Sequence, residues 1–143
     1  MERPAMDHTH PFLVTGASGN VGGALTATLL QRGATVRVLA RDPDRARQAV
    51  PAPGGDGSAP GTLQAEQFDF LSHTARRALF RDVQQLFLMR PPSIGDVKQF
   101  MFPFLEVARE AGVEHVVLLS LLGARYLPMV PHRKLERELE RLG

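Results

Sequence analysis

The chain has 143 residues, no cysteine and a formal net charge of +2 at pH 7. This length is enough for one domain. The lack of cysteine excludes disulfides, thiol catalysis and cysteine-ligated metals. Its arginines are scattered rather than clustered, which argues against a nucleic-acid surface, and its apolar runs are too short to cross a membrane. The lack of cysteine favours a cytoplasmic protein. The N-terminus lacks the apolar centre of a secretory signal, so we expect residues 1–11 to form a disordered lead-in.

The first half of the chain alternates between strand and helix patterns. PFLVTG is a short apolar run that predicts a buried strand, and residues 20–32 have the spacing of a helix that ends at Gly33. ATVRVLA alternates like a strand, and DPDRARQAV predicts a short helix with Asp42 as N-cap and Pro43 in its first position. The stretch that follows, residues 51–62, is rich in proline and glycine and predicts a flexible loop.

The second half continues the alternation. LQAEQFDF predicts a third strand, and a short helix is expected over residues 72–80. QQLFLM predicts a fourth strand, which RPPS ends, and a longer helix is expected over residues 94–111, interrupted at Pro103 and closed by Gly112. HVVLLS predicts a fifth strand, and HRKLERELERLG predicts a final charged helix.

This order of elements predicts the fold class. Strands that alternate with helices form right-handed βαβ units and a parallel sheet that is covered on both faces. We therefore predict an α/β protein, a Rossmann-like doubly wound parallel sheet of about five strands with helices on both faces, formed by residues 12–143. A glycine-rich turn after the first strand of such a sheet is where dinucleotides bind.

The glycines of VTGASGNVGG stand between the first strand and the first helix. The first would make the turn, the second would admit a phosphate, and the third would let the helix pack closely on the strand. Free amides at the start of the helix would hold a pyrophosphate, whereas the alternative is a glycine-rich turn with no ligand. The predicted pyrophosphate site comprises Gly16, Ser18, Gly19, Asn20, Val21 and Gly22.

The end of the second strand predicts which dinucleotide binds. An acidic residue there binds the ribose 2′-hydroxyl of NAD, whereas an arginine can bind the 2′-phosphate of NADP. In VRVLARDP the strand ends at Ala40 and Arg41, and Asp42 follows. Arg41 therefore favours NADP(H) over NAD(H). The alternative is that Arg41 is a solvated surface charge and that Asp42 only caps the next helix.

The segment VTGASGNVGGALTATLLQRGATVRVLARDPDRA resembles the opening of an atypical short-chain dehydrogenase/reductase of the NmrA-like group, in which the spacing GxxGxxG is typical. The likeness continues in LFLMRPPS, FPFLEVAREAGVEHVVLLSLLGA and VPHRKLERELERLG. The resemblance implies an NAD(P)-binding oxidoreductase with an unknown small-molecule substrate. Members of this group continue into another strand and a lobe that covers the substrate, so the resemblance also implies a truncated domain whose C-terminal substrate lobe is missing.

The resemblance assigns further residues to the cofactor site. Asp69 and Phe70, in FDF at the end of the third strand, would lie near the adenine. Met89 and Arg90, after the fourth strand, would border the ribose and the diphosphate. For Asp69 the alternative is a carboxylate that only caps the following turn.

Catalytic groups are less evident. The YxxxK pair of ordinary short-chain dehydrogenases is absent, because the residue four positions after Tyr126 is Val130. PHRKLE resembles the segment that carries a lysine near the nicotinamide ribose, so Lys134 is the candidate catalytic residue. The alternative is a solvated helix face on which Lys134 attracts Glu138. Ser120 has no acid or histidine at a recognisable spacing, so we expect no nucleophile there, and the histidines lack metal-ligand spacing, so we expect no metal.

Two functions are consistent with these features. The first is an NADP(H)-dependent oxidoreductase that reduces quinones or small carbonyl compounds by hydride transfer. The second is a non-catalytic NADP(H)-binding redox sensor, or an inactive fragment, as the absence of YxxxK permits. We expect no nucleic-acid or membrane partner. The sheet edge at which a sixth strand would pair favours a homo-oligomer.

Overall fold

The computed structural model describes residues 9–50 and 60–143 of the chain. In these two ranges the strands and helices alternate along the chain, and short 3-10 turns stand at Arg77–Phe80 and Ala124–Tyr126. The elements are β1 (Phe12–Thr15), α1 (Asn20–Gln31), β2 (Thr35–Ala40), α2 (Pro43–Ala49), β3 (Thr62–Gln67), β4 (Gln85–Met89), α3 (Val97–Phe100), α4 (Phe102–Glu110), β5 (His115–Leu119) and α5 (Pro131–Leu142).

The five strands form one sheet in the order β3-β2-β1-β4-β5, and every pair of neighbours is parallel. The predicted Rossmann-like α/β fold is therefore confirmed. The chain starts in the middle of the sheet, adds strands on one side and then returns to add strands on the other. The carboxyl ends of β1 and β4 consequently meet at the switch point, which is where open sheets of this kind bind ligands.

Two hydrophobic cores cover the two faces of the sheet. Adjacent strand residues point to opposite faces, so Leu13 and Val14 belong to different cores. One core packs α1 and α2 against β1, β2 and β3, and the other packs α3, α4 and α5 against β1, β4 and β5. The first core contains Val14, Leu29, Leu30, Val36, Val38 and Ala46, and the second contains Leu13, Leu86, Leu88, Phe104, Leu105 and Leu135.

A buried arginine joins two parts of the sheet layer. Arg37 of β2 donates from Nε to the Gln64 side chain at 3.0 Å and from Nη1 to the carbonyl oxygens of Leu79 and Arg81 at 2.9 Å each. Burial lowers the pKa of Arg37. Since a buried donor without partners is costly, these bonds explain how a charged side chain is tolerated under the 3-10 turn.

Three predicted elements differ from the structure. In place of one helix over residues 94–111 the structure has α3 and α4. The predicted interruption is present, but it lies at Met101, and Pro103 falls in the first turn of α4. The prediction of a helix over residues 72–80 is wrong, because only the 3-10 turn at Arg77–Phe80 forms. The third strand ends at Gln67 rather than at residue 70.

The physical reason lies in local hydrogen bonds after β3. The carbonyl of Asp69 accepts from the amides of Ser72 and His73, and the amide of Asp69 donates to Nδ1 of His73 at 2.9 Å. These bonds form a tight turn and satisfy backbone groups that would otherwise extend the strand or start a helix.

The predicted lead-in and loop fall mainly outside the described residues. Residues 1–8 and 51–59 are not described. At the end of the predicted lead-in, Pro11 is buried and Nδ1 of His10 lies 3.1 Å from the carbonyl oxygen of Asp82. At the end of the predicted loop, the amide of Thr62 donates to the carbonyl of Ala34 at 3.2 Å, because this residue already begins β3. Within the described ranges, no helix is long and apolar enough to cross a membrane.

Candidate dinucleotide-binding site

The loop between β1 and α1 leaves a row of backbone amides without acceptors. Gly16 turns the chain with φ of 72°, and its carbonyl accepts from the amide of Gly19 at 3.0 Å. The carbonyl of Gly19 in turn accepts from the amide of Gly23 at 2.8 Å. The amides of residues 20–22 have no acceptor among the described residues, and no side chain caps the helix. Since a 12-residue helix carries partial positive charge at this end, the loop is suited to an anion.

A side chain would meet different neighbours at each of the three glycines of the loop. A Cβ at Gly22 would lie 2.2 Å from the carbonyl oxygen of Gly16, so α1 packs directly on the turn. A Cβ at Gly16 would lie 2.3 Å from Cε of Met89. At Gly19 the nearest atoms would be 3.4 and 3.5 Å away, which is close to ordinary contact. The fold therefore requires glycine at Gly22, where the clash is with backbone, and at Gly16, where φ is positive, whereas the space at Gly19 remains open to a ligand.

The side chain of Thr15 ties the start of this loop to β4. Its hydroxyl accepts from the amide of Met89 at 2.8 Å and donates to the carbonyl of Phe87 at 3.3 Å. This side chain thereby joins the carboxyl ends of β1 and β4 one residue beyond their last backbone pair. Thr15 is not among the site residues that the sequence predicts. The available signal was a threonine at the end of a buried strand, directly before the first glycine of the loop.

At the end of β2, the carboxylate of Asp42 is hydrogen-bonded, whereas the guanidinium of Arg41 is not among the described residues. Oδ1 of Asp42 accepts from the amides of Asp44 and Arg45 at 3.1 Å each, so the predicted N-cap of α2 is confirmed. Arg41 is exposed, and its guanidinium makes no hydrogen bond or ion pair within the described part of the chain. A carboxylate that caps a helix is less available for ribose hydroxyls, whereas a free guanidinium can take a phosphate.

The residues predicted near the adenine are held by other contacts. Oδ1 of Asp69 accepts from the amide of Leu71 at 2.9 Å, which is the capping role considered as the alternative. Its second carboxylate oxygen has no partner among the described residues. Phe70 is buried, and its ring centroid lies 4.9 Å from that of Phe104 in α4. Phe70 is therefore part of the aromatic core.

Arg90, predicted beside the diphosphate, folds back onto its own loop. Its Nη1 donates to the carbonyl of Ile94 at 2.6 Å and to that of Pro91 at 3.3 Å, while its Nε is buried without a partner in the described structure. The guanidinium thus shapes the segment after β4. Its neighbour Met89 lies against Gly16, as the close approach of Cε shows.

At the end of β5, Ser120 has an acidic partner. Its hydroxyl donates to Oε1 of Glu136 at 2.6 Å, and Nη1 of Arg133 lies 2.9 Å from Oε2 of the same carboxylate. Sequence spacing does not reveal this partner, because the packing of α5 against the sheet brings together residues that are sixteen positions apart. These hydrogen bonds from Ser120 and Arg133 lower the pKa of Glu136, so the carboxylate is ionised at neutral pH.

Lys134 is half-buried in the first turns of α5 and has no hydrogen bond or ion pair among residues 9–50 and 60–143. The alternative pairing with Glu138 does not form, since Glu138 is buried and bonds to Nε of Arg141 at 2.9 Å. Nearby, His132 is buried, and its pKa is lowered by that burial and by the positive charge of Arg90, against the opposing effect of Glu136. The imidazole is therefore neutral at pH 7. In the first turn of α5, Arg133 is paired with Glu136, whereas the Lys134 ammonium has no partner among the described residues.

No group of three histidine, aspartate or glutamate side chains converges as metal ligands would within the described ranges.

Comparison with known proteins agrees with this geometry. A family model described as NAD(P)H-binding matches residues 16–141. Prestalk A differentiation protein A of Dictyostelium discoideum is 28% identical over 134 residues, which are 92% of this chain and 41% of that protein.

Solved structures with the same fold bind both nucleotides. An NADPH-dependent quinone oxidoreductase from Escherichia coli, complexed with NADPH, superposes with a TM-score of 0.66 at 20% identity, over 92% of this chain and 45% of that one. MoeE5 in complex with UDP-glucose and NAD superposes with a TM-score of 0.61 at 22% identity, over 92% and 47% of the two chains. The chain thus spans less than half the length of each of these three proteins.

Proposed function

Because the chain belongs to the NAD(P)H-binding family, we propose that it binds NADP(H) as a member of the NmrA-like group and transfers a hydride to a quinone or a small carbonyl compound. The observation that carries this proposal is the combination of free amides at the start of α1 with a free Arg41 at the end of β2. A quinone oxidoreductase is among the structures with the same fold, which supports the choice of substrate class.

In this proposal the amides of residues 20–22 bind the pyrophosphate above Gly19, and Arg41 binds the 2′-phosphate. Asp69 offers its second carboxylate oxygen to the adenine. Ser18, which is exposed beside the loop, adds a hydroxyl to the phosphate site. The nicotinamide, when bound, supplies the hydride, and the protein supplies binding and orientation.

Phe70, Met89 and Arg90 act in the proposal by shaping the edge of the sheet that the cofactor borders. Met89 covers the turn at Gly16, and Arg90 holds the backbone of the segment after β4. Lys134 lies near the nicotinamide ribose, where its ammonium donates to a ribose hydroxyl.

The preference for NADP(H) predicts a selective effect of Arg41→Ala. The variant should bind NADPH about 10- to 100-fold more weakly, because it removes a charge-assisted contact to the 2′-phosphate, and its affinity for NADH should not change. Fluorescence titration with both nucleotides measures this difference. Arg45→Ala, another exposed arginine on the next helix, is the matched control. Equal effects of Arg41→Ala on both nucleotides would contradict the assignment.

The hydride-transfer proposal predicts a role for Lys134 that the other lysine of the chain, Lys98, does not share. Oxidation of NADPH by a panel of quinones and carbonyl compounds should be at least tenfold slower in Lys134→Met, while the thermal stability should remain close to that of the wild type. Lys98 is exposed on α3, so Lys98→Met should retain the wild-type rate. The same loss of rate in both variants would argue against a specific role for Lys134.

The second candidate is a non-catalytic NADP(H)-binding module. The position of Tyr126, the single tyrosine of the chain, favours this candidate. Its side chain is 70% exposed and lies against the guanidinium of Arg125 rather than facing a lysine. The same titrations separate the two candidates. Tight NADPH binding with no oxidation across the whole panel supports the module, whereas turnover supports the reductase.

A further inference from the structure

The turn after β3 is closed by His73, a residue that has no role in the proposed function. Nδ1 of His73 accepts from the amide of Asp69 at 2.9 Å. The carbonyl oxygen of Asp69 accepts from the amides of Ser72 and His73 at 3.2 and 2.8 Å. Both backbone polar groups of Asp69 are therefore bonded within residues 69–73, which we call the Asp69 turn.

The same turn fixes the direction of the Asp69 carboxylate. Oδ1 accepts from the amide of Leu71 at 2.9 Å, so this oxygen is also bonded inside the turn. Oδ2 has no partner among the described residues. Since the amide, the carbonyl and Oδ1 of Asp69 are all held by hydrogen bonds, the position of Oδ2 depends on the turn and, through the amide, on His73.

The bond between Asp69 and His73 requires one protonation state of the imidazole. An amide donates its hydrogen, so Nδ1 of His73 must carry no proton, and the neutral ring then has its proton on Nε2. In the charged ring both nitrogens are donors, and the Nδ1 proton would face the amide proton of Asp69. Histidine changes its charge between pH 5 and 8, and His73 is exposed to solvent. Acid pH therefore breaks this bond.

The elements around the His73 ring contribute aromatic and uncharged groups. The ring centroid lies 6.1 Å from that of Phe68, directly after β3, with 33° between the two planes. The helices α3 and α4 line the cleft around the ring with the uncharged side chains of Gln99, Phe100, Pro103 and Phe104. Within the turn, the one charged side chain besides the imidazole is that of Asp69. The pH consequently acts on this turn through His73, with Asp69 as its charged neighbour.

We propose that neutral His73 positions Oδ2 of Asp69 to accept a hydrogen bond from the 6-amino group of adenine, and that protonation of His73 abolishes this recognition. The inference rests on the proposed function, which assigns adenine to Asp69, and adds to it a positioning residue and a pH dependence. Oδ2 favours adenine over a purine with an oxygen at position 6, because that oxygen and Oδ2 are both acceptors. The preference is present when His73 is neutral and is lost as the pH falls.

Binding of NADP and of its hypoxanthine analogue, in which an oxygen replaces the 6-amino group, tests the proposal. Both ligands carry the 2′-phosphate, so the titration of that group cancels in the ratio of their affinities. Calorimetry at pH 8 should show that the wild-type chain binds NADP about tenfold more tightly than the analogue. At pH 5, the other end of the range in which histidine titrates, the ratio should fall to about two or less.

Substitutions at His73 separate positioning from packing. His73→Leu removes the acceptor, so the preference for NADP should be lost at both pH values, while the affinity for the analogue stays within about twofold of the wild type. His73→Asn retains an oxygen acceptor and does not titrate, so the preference should persist at both pH values. His115→Leu changes another exposed histidine, at the start of β5, and should behave like the wild type. Thermal unfolding verifies that the variants fold.

The outcomes distinguish this inference from the proposed function. Equal binding of both ligands by the wild type at pH 8, or a preference that His73→Leu retains, overturns the role of His73 and leaves the proposed function intact. A preference that His73→Asn loses at pH 5, as the wild type does, assigns the pH dependence to another group and also overturns the inference. A chain that binds neither ligand contradicts the proposed function itself.

Discussion

Gly19→Ala is expected to fold like the wild-type chain and to lose at least tenfold in affinity for NADP(H). Gly19 has φ of −87° and ψ of 173°, which alanine adopts without strain. Its new Cβ would approach the Gly16 carbonyl oxygen no closer than 3.4 Å, so the protein tolerates it. The methyl group would nevertheless add bulk one residue before the free amides of residues 20–22, where in our proposal the pyrophosphate approaches the backbone.

Two measurements separate binding from folding in this variant. Thermal unfolding without nucleotide should give a midpoint within about 3 °C of the wild type, and titration with NADPH should give the loss of affinity. Gly95→Ala is a control for the glycine-to-alanine change itself, since nothing lies within 4 Å of a Cβ at that position. If Gly19→Ala binds NADPH like the wild type, the pyrophosphate does not pass over this residue and the assignment of the loop is wrong.

Local signals in the sequence predicted the order of elements and the fold. A helix start such as Asp42 followed by Pro43 depends on neighbouring backbone amides alone, and the structure reproduces it. The break at Met101, two residues before Pro103, is equally local, because a proline lacks the amide that a continuous helix would need. The incorrect helix over residues 72–80 depends instead on bonds between Asp69 and His73, which periodicity does not reveal.

The geometry of the candidate site follows from the sequence where a backbone loop forms it, and less well where side chains from distant elements meet. The free amides after Gly19 follow from glycine spacing. The carboxylate partner of Ser120 requires β5 and α5 to be packed together, so no local pattern contains it. Phe70 and Arg90 were expected to face a cofactor, yet one packs on Phe104 and the other bonds its own loop. The sequence predicts that such residues lie at the end of a strand. The direction of their side chains depends instead on which ring or carbonyl lies nearby in the folded protein.

Gly22→Ala is expected to destabilise the protein by about 3 kcal/mol or more, since its new Cβ would lie 2.2 Å from the oxygen and 2.6 Å from the carbon of the Gly16 carbonyl. Both atoms belong to the backbone, so no side chain can move aside, and α1 must lift away from β1. This shift would weaken the packing of Leu29 and Leu30 on the sheet. The intrinsic preference of alanine for helices, about 1 kcal/mol over glycine, offsets only part of the cost.

Gly23→Ala is the matched control, because it lies in the same helical turn and gains the same helix propensity. Its Cβ would meet only the carbonyl oxygen of Ala17 at 3.0 Å, so a shift of a few tenths of an ångström relieves it. Urea unfolding should place Gly23→Ala within about 1 kcal/mol of the wild type, and equal stability of Gly22→Ala and Gly23→Ala would contradict the close packing of α1 on the turn. Gly22→Ala displaces the amides as well and should lose NADPH binding together with stability. Gly19→Ala should lose binding alone, so the two variants distinguish the glycine that the fold requires from the glycine that the ligand requires.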